Sequence, residues 1–277
     1  MGALSANWRP DYSPALMRRE MDIIRADPHA NAVRLGGRDP RRLLAAAEYA
    51  ASIGLEVWIG PELWNATPQR TLHYITEAAA ASVRRVYGGP VSYCASPFER
   101  VDWDHFDVVG VNFYRQQGHT TDQYLTKISR FQATGKPVAI TEFGFAACRD
   151  AANPEFLGTF NATPLSLLGS QIPVIRQRIR PRVRTVHPRD EQAQARLLID
   201  QLEMLDQAGV DGAFVMSFSF PLAPYGEDPR HDIDATALSI VRTLPRGEHG
   251  TTYPGVGWEP KEAFHAIARY YSQQEPR

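Results

Sequence analysis

Short unbroken apolar runs alternate along the chain with longer stretches in which apolar residues return every three or four positions. The runs are residues 32–35, 55–59, 91–94, 107–112, 137–143 and 211–218, and residues 3–8 offer a seventh. Between them, the spacing predicts helices at about 39–51, 68–86, 119–133, 190–208 and 259–272. Asp39-Pro40 opens the first and Gly54 closes it, while Thr67-Pro68 opens the second and Gly88-Gly89-Pro90 ends it. Strands without polar alternation are buried on both faces, and strands separated by helices pair in parallel. An open doubly wound sheet would bring a glycine-rich phosphate turn. Arg34-Leu35-Gly36-Gly37-Arg38 follows a strand but lacks the G-x-G-x-x-G spacing, and no Walker motif occurs. The expected fold is therefore a (β/α) TIM-type barrel, a single domain over 1–277, with a long irregular, lid-like stretch at about 146–188.

Composition narrows the function classes. The 277 residues are 43% hydrophobic and 22% charged, a globular balance. A net charge of -1 gives no electrostatic basis for nucleic acid or an anionic membrane as partner. The expected partner is a small-molecule or carbohydrate ligand. No apolar run reaches 18 residues, and the first residues show no basic-then-apolar leader, so a cytoplasmic protein is expected. Cys94 and Cys148 have no metal or disulfide spacing, and the eight histidines form no H-E-x-x-H, so neither a metal nor another cofactor is implied. Only three of the 30 basic residues are lysines (Lys127, Lys136 and Lys261), a skew read as codon bias.

In a barrel of this kind chemistry sits where the strands end. Arg34 ends the first clear strand, and Glu62 and Trp64 follow the second. Asn112, Tyr114 and Arg115 follow the 107–112 run, Glu142 closes the 137–143 run, and Ser217 follows Met216. Polar groups and aromatics gathered at one pole predict a pocket for a polar or polyhydroxylated ligand. A carboxylate closing an apolar strand, as Glu142 does, is costly unless paired.

Two segments carry a resemblance. Gly110-Val111-Asn112-Phe113-Tyr114-Arg115 and Gly135-Lys136-Pro137-Val138-Ala139-Ile140-Thr141-Glu142-Phe143-Gly144 resemble the sixth and seventh strands of retaining glycoside hydrolases of the large TIM-barrel clan. The resemblance implies that Glu142 is the nucleophile, that Tyr114 contacts it, and that Arg34, at the end of the second strand, supports it. Asn112, Arg115, Trp64 and Ser217 are then candidates for holding substrate. Trp258-Glu259-Pro260-Lys261 resembles the entry to the closing helix of these enzymes.

The departure concerns the proton donor. In the clan a glutamate within an Asn-Glu pair ends the fourth strand, and no Asn-Glu dipeptide occurs in this chain. The interval between the 55–59 and 91–94 runs has room for one helix and no further β/α unit. The barrel is therefore expected to be incomplete, with fewer than eight regular strands and without the usual acid/base. Glu62 is the carboxyl placed to lean into the vacated space. Retaining hydrolysis needs two carboxyl groups about 5–5.5 Å apart. A nucleophile alone suits only sugars with good leaving groups.

Three functions fit this reading. One is a glycosidase-like enzyme acting through Glu142. Another is a cyclase, isomerase or lyase of a biosynthetic pathway, with Glu142 as its lone general acid or base, its pKa raised by desolvation. The third is a non-catalytic carbohydrate-binding relative. Asp228, His231, Asp232 and Asp234, after the last strand, read as a polar surface loop or as candidate cation ligands. Arg176–Arg184, with five arginines in nine residues, reads as a solvated face or a lid contact.

Overall fold

The computed structural model describes residues 9, 12–37, 39–61, 89–115, 120–153, 161–163, 166 and 182–274. The expected strand at 3–8, the expected helix at 68–86, Glu62 and Trp64 lie outside the described residues, as does most of the arginine run.

The first unit is α1 (Pro14–Ala26), β1 (Ala32–Gly37), α2 (Pro40–Ser52) and β2 (Glu56–Pro61). Both helices start as their sequences dictate. Ser13 accepts from the Leu16 N–H and Asp39 from the Arg41 N–H, each followed by proline at the first helical position. Gly54, at φ +81°, closes α2, a conformation that costs glycine little. β1 and β2 pair in parallel, Ala32 opposite Glu56 and Gly37 opposite Pro61. Met17, Met21, Val33, Ala46, Ala50 and Leu55 form this unit's own small core.

The second unit is a four-stranded parallel sheet in the order β3 (Ser92–Ala95), β4 (Val108–Asn112), β5 (Val138–Phe143), β6 (Gly212–Val215). A 3-10 turn (Trp103–His105) lies between β3 and β4. Helix α3 (Thr121–Gln132) joins β4 to β5, and α4 (Glu191–Gln207) precedes β6. Thr120 and Gln123 form a reciprocal capping box that starts α3. Five of the six β5 residues are buried, as expected of a strand covered on both faces. The main core lies between these strands and the helices, with Val109, Val111, Ile140, Leu198, Leu205, Phe264 and Ile267 among its members.

Strands that are not neighbours in either sheet meet through their side chains. Arg34 of β1 pairs with Glu142 of β5 at 2.8 Å, and the Trp58 ring of β2 lies 5.1 Å from that of Phe214 on β6. Side chains of both sheets thus face one interior, as in a layer curled into a barrel.

Three features depart from the pattern reading. α1 is a helix that was not anticipated. Helix α5 (Glu262–Ser272) starts three residues later than expected, because Trp258–Pro260 forms β8, antiparallel to β7 (Val241–Thr243). The loop after β6 is not a polar surface loop throughout, since Asp232 and Asp234 are buried. The ends of the 146–188 stretch are tied together: Asp190 N–H donates to Ala147 O, Arg149 N–H to Pro188 O, and Ala162 bridges to Val183.

Candidate active site

Three strand ends are laced together by the backbone. The Phe113 N–H donates to Glu142 O at 2.8 Å, and the Met216 N–H to Phe143 O at 2.7 Å. Phe113 is fully buried and stacks on Tyr124 of α3, centroids 4.0 Å apart, while the Tyr124 hydroxyl donates to Phe113 O. Such a stack contributes about 0.5–1.5 kcal/mol beyond the area it buries. With Phe113 pointed at the helix layer, strand alternation turns Tyr114 to the other side, toward Glu142.

The β4–β5 register shifts after Val111, so that Asn112 lies opposite Glu142. Irregularities of this kind gather near active sites because they re-aim a side chain. Thr141 stays buried and donates its hydroxyl to Asn112 Oδ1 at 2.7 Å, whereas Glu142 emerges into the interior. Gly144 follows directly. A Cβ there would lie 2.3 Å from Met216 O, so only glycine lets β5 and the end of β6 approach this closely.

Both Glu142 oxygens are engaged. Oε1 accepts from Arg34 Nη1 at 2.8 Å and Oε2 from the Tyr114 hydroxyl at 2.9 Å. The Glu142 side chain keeps 19% of its surface open, as does that of Arg34. The Tyr114 hydroxyl also lies 3.1 Å from the Sδ of Met216, whose peptide bond to Ser217 is cis. Burial, then the Glu142 charge and hydrogen bond, push the Tyr114 pKa far above its ordinary value, so the phenol remains a proton-bearing donor. Burial pulls the Arg34 pKa down, but Cys94 and Glu142 outweigh it and the net shift is upward. Arg34 is thus a fixed cation beside the Glu142 carboxylate.

The other candidates stand at varying removes. Asn112 joins the group through Thr141. Arg115 donates to Thr121 at 3.0 Å, at the start of α3, and Ser217 donates to Ser219 O at 3.3 Å. Neither shows a contact to Glu142. Trp58 packs on Phe214 and donates to Glu56 at 2.7 Å. Burial pushes the Cys148 thiol up to about 12. Among the described residues no group of three or more His, Cys, Asp or Glu is arranged to hold a metal ion, and no helix is long and apolar enough to cross a membrane.

A second ionic cluster, missed in the sequence, lies behind the loop that follows β6. Arg189 makes a two-pronged pair with Asp232 at 2.8 and 2.9 Å and a further bond to Asp234 at 2.9 Å. Lys261 lies 2.8 Å from Asp234, and both side chains are 0% exposed. Glu191 accepts from Arg189 and Arg242, whose guanidinium groups sit 5.1 and 4.8 Å from the Tyr225 ring centroid. Burial lowers the Lys261 pKa, and Asp234 offsets part of that shift. Three cations meet three carboxylates, so the cluster is neutral. Asp232 and Asp234 are therefore structural counter-ions rather than exposed loop acids.

The sequence matches no protein-family model, and none of the curated proteins compared with it matches. Solved structures do. A GH113 beta-1,4-mannanase complex aligns with a TM-score of 0.52 at 14% identity, over 96% of this chain and 94% of that one. A second GH113 beta-1,4-mannanase structure aligns at 0.53 and 15% identity, over 94% of each chain. The GH113 beta-mannanase AaManA from Alicyclobacillus acidocaldarius, in complex with ManMIm, aligns at 0.54 and 15% identity, over 98% of this chain and 93% of that one. At such identities the likeness shows the fold: a glycoside-hydrolase-like TIM barrel.

Proposed function

We propose that the chain is a glycoside-processing enzyme in which Glu142 is the reacting carboxylate. The observation that carries this reading is Glu142 at the end of β5, held by Arg34 from β1 and Tyr114 from β4 while its side chain stays partly open. Both oxygens act as acceptors, which suits attack on an anomeric carbon, or proton abstraction, better than proton donation. Arg34 offsets negative charge beside the reacting centre, and Tyr114 fixes which lone pair faces the substrate. Asn112 orients the ligand at the rim. The names of the similar structures make β-linked mannosides the first substrates to try.

The chain has no Asn-Glu pair to supply the customary proton donor. A positioned general acid contributes roughly 10²–10⁴-fold, and most where the leaving group is a poor one. The reading therefore predicts turnover of 2,4-dinitrophenyl β-mannoside, whose leaving group departs unprotonated, and much slower release of methanol from methyl β-mannoside. Equal rates on the two would mean that a second carboxyl acts as the acid, with Glu62 the first to mutate. Absence of turnover across dinitrophenyl β-mannoside, β-glucoside and β-galactoside would overturn the hydrolytic reading and favour a non-hydrolytic acid–base enzyme or a binding protein.

A further inference from the structure

Phe98 is 82% exposed, the most exposed large apolar side chain among the described residues and the one aromatic side chain there in the exposed class. A single exposed apolar residue needs no explanation by itself. Its mount is what sets Phe98 apart. Ser96-Pro97-Phe98-Glu99 is a turn closed by the Glu99 N–H donating to Ser96 O at 3.0 Å, with proline in the position that presets its backbone angle. The Glu99 carboxylate braces the turn from below. Oε1 accepts from the Ser96 N–H at 2.9 Å and Oε2 from the Tyr93 hydroxyl at 2.7 Å. Burial and the Glu99 bond push Tyr93 up to about 12, so this donor keeps its proton throughout the working pH range. An apolar ring is thus held out into solvent on a stiff support.

Its position gives it a use. β3 runs parallel to β4 and β5 and ends at Ala95, so the Phe98 turn rises at the same pole as Tyr114 and Glu142. β3 is two strands from β5, a lateral offset of about 10 Å at ~4.8 Å per strand. That exceeds the reach of one sugar ring bound at Glu142 but suits a neighbouring ring of the same chain. The apolar face of a pyranose packs on an aromatic ring, and a pre-ordered ring loses little entropy on binding.

We infer that Phe98 is a stacking platform for a distal sugar of an oligosaccharide whose reacting residue sits at Glu142. The inference rests on the glycoside reading and sharpens it: the ligand is a chain of several sugars rather than a monosaccharide derivative. The test is calorimetric titration of the wild type, Phe98→Ala and Phe98→Trp with β-1,4-linked mannobiose and mannotetraose, and with cello- and xylotetraose. The expected result is a roughly three- to tenfold weaker dissociation constant for a tetraose in Phe98→Ala, a smaller change for the biose, and recovery in Phe98→Trp. Wild-type binding that Phe98→Ala leaves intact would overturn the platform and spare the glycoside reading. A wild type that binds none of the sugars would overturn both. Loss of self-association in Phe98→Ala with unchanged sugar affinity would make the ring a contact between copies of the chain, and the platform would fall.

Discussion

The molecule contains two carboxylate–cation assemblies that look alike as sequence and differ as physics. At the strand ends, Glu142 has one cation and one phenol, and its side chain keeps 19% of its surface open. Behind the β6 loop, Asp234 has Arg189, Lys261 and the Thr243 N–H, and is 0% exposed. The saturated carboxylate can serve only the fold, because every lone pair that could meet a ligand is already spoken for. The open one keeps part of its surface free beside two fixed donors. Burial and pairing alone do not separate the two carboxylates; unfilled coordination at a strand end does.

The comparison can be broken most severely at Lys261. Lys261→Met leaves Asp234 and its acidic neighbours short of a buried cation, and should cost about 3–5 kcal/mol in urea unfolding. A loss under 1 kcal/mol would mean that the cluster is not tightly closed. Next comes Tyr114→Phe, which removes one bond to a charged acceptor, worth about 1.5–3 kcal/mol. Turnover of the dinitrophenyl glycoside should fall about tenfold or more, and loss of the same bond should lower the melting temperature by roughly a few degrees. If melting falls and turnover does not, Tyr114 belongs to the structural class.

Acid provides a gentler probe. Glu191 has its pKa lowered: burial acts to raise it, but Arg242, Arg189 and Lys261 prevail. A carboxyl with a depressed folded pKa stabilises above its unfolded pKa, and that stability is lost as pH falls through the folded value. The wild type should therefore lose stability below about pH 4.5, the ordinary glutamate value, and Glu191→Gln should show a shallower acid dependence. Parallel curves would remove Glu191 from the account. The smallest effect is expected at Asp228, whose pKa is drawn down to about 2 by the exposed Arg230. Exposed pairs contribute little, so Asp228→Asn should leave the unfolding midpoint unchanged in 0.15 M salt, and a clear loss would show that the exposed end of the loop also bears load.

Much of this organisation was legible because its causes are local. The 137–143 run is apolar without alternation, Asp39-Pro40 and Gly54 bracket α2, and polar residues cluster at the strand ends. Glu142, Tyr114 and Arg34 could be singled out together because strand-end position and motif agreed. α1 escaped notice although Ser13-Pro14 is a helix start. Glu20 sits on its buried face, paired with Arg9 and accepting from Trp258 Nε1 at 3.1 Å, and so breaks the apolar period. The β7–β8 hairpin was invisible because each strand has three residues, too few for a pattern. The Asp232–Asp234 cluster was unreadable for another reason: Arg189 and Lys261 come from other elements, and no local rule joins them.

The most direct test sets the two carboxylates against each other, with Glu142→Gln and Asp234→Asn each measured for urea unfolding and for dinitrophenyl glycoside turnover. The account predicts that Glu142→Gln, which keeps an acceptor for Arg34 and Tyr114, costs clearly less stability than Asp234→Asn while turnover falls at least 10²-fold, and that Asp234→Asn costs about 3–5 kcal/mol. A Glu142→Gln protein that keeps wild-type turnover but loses stability as Asp234→Asn does would contradict it, and Glu142 would then be a structural ion pair.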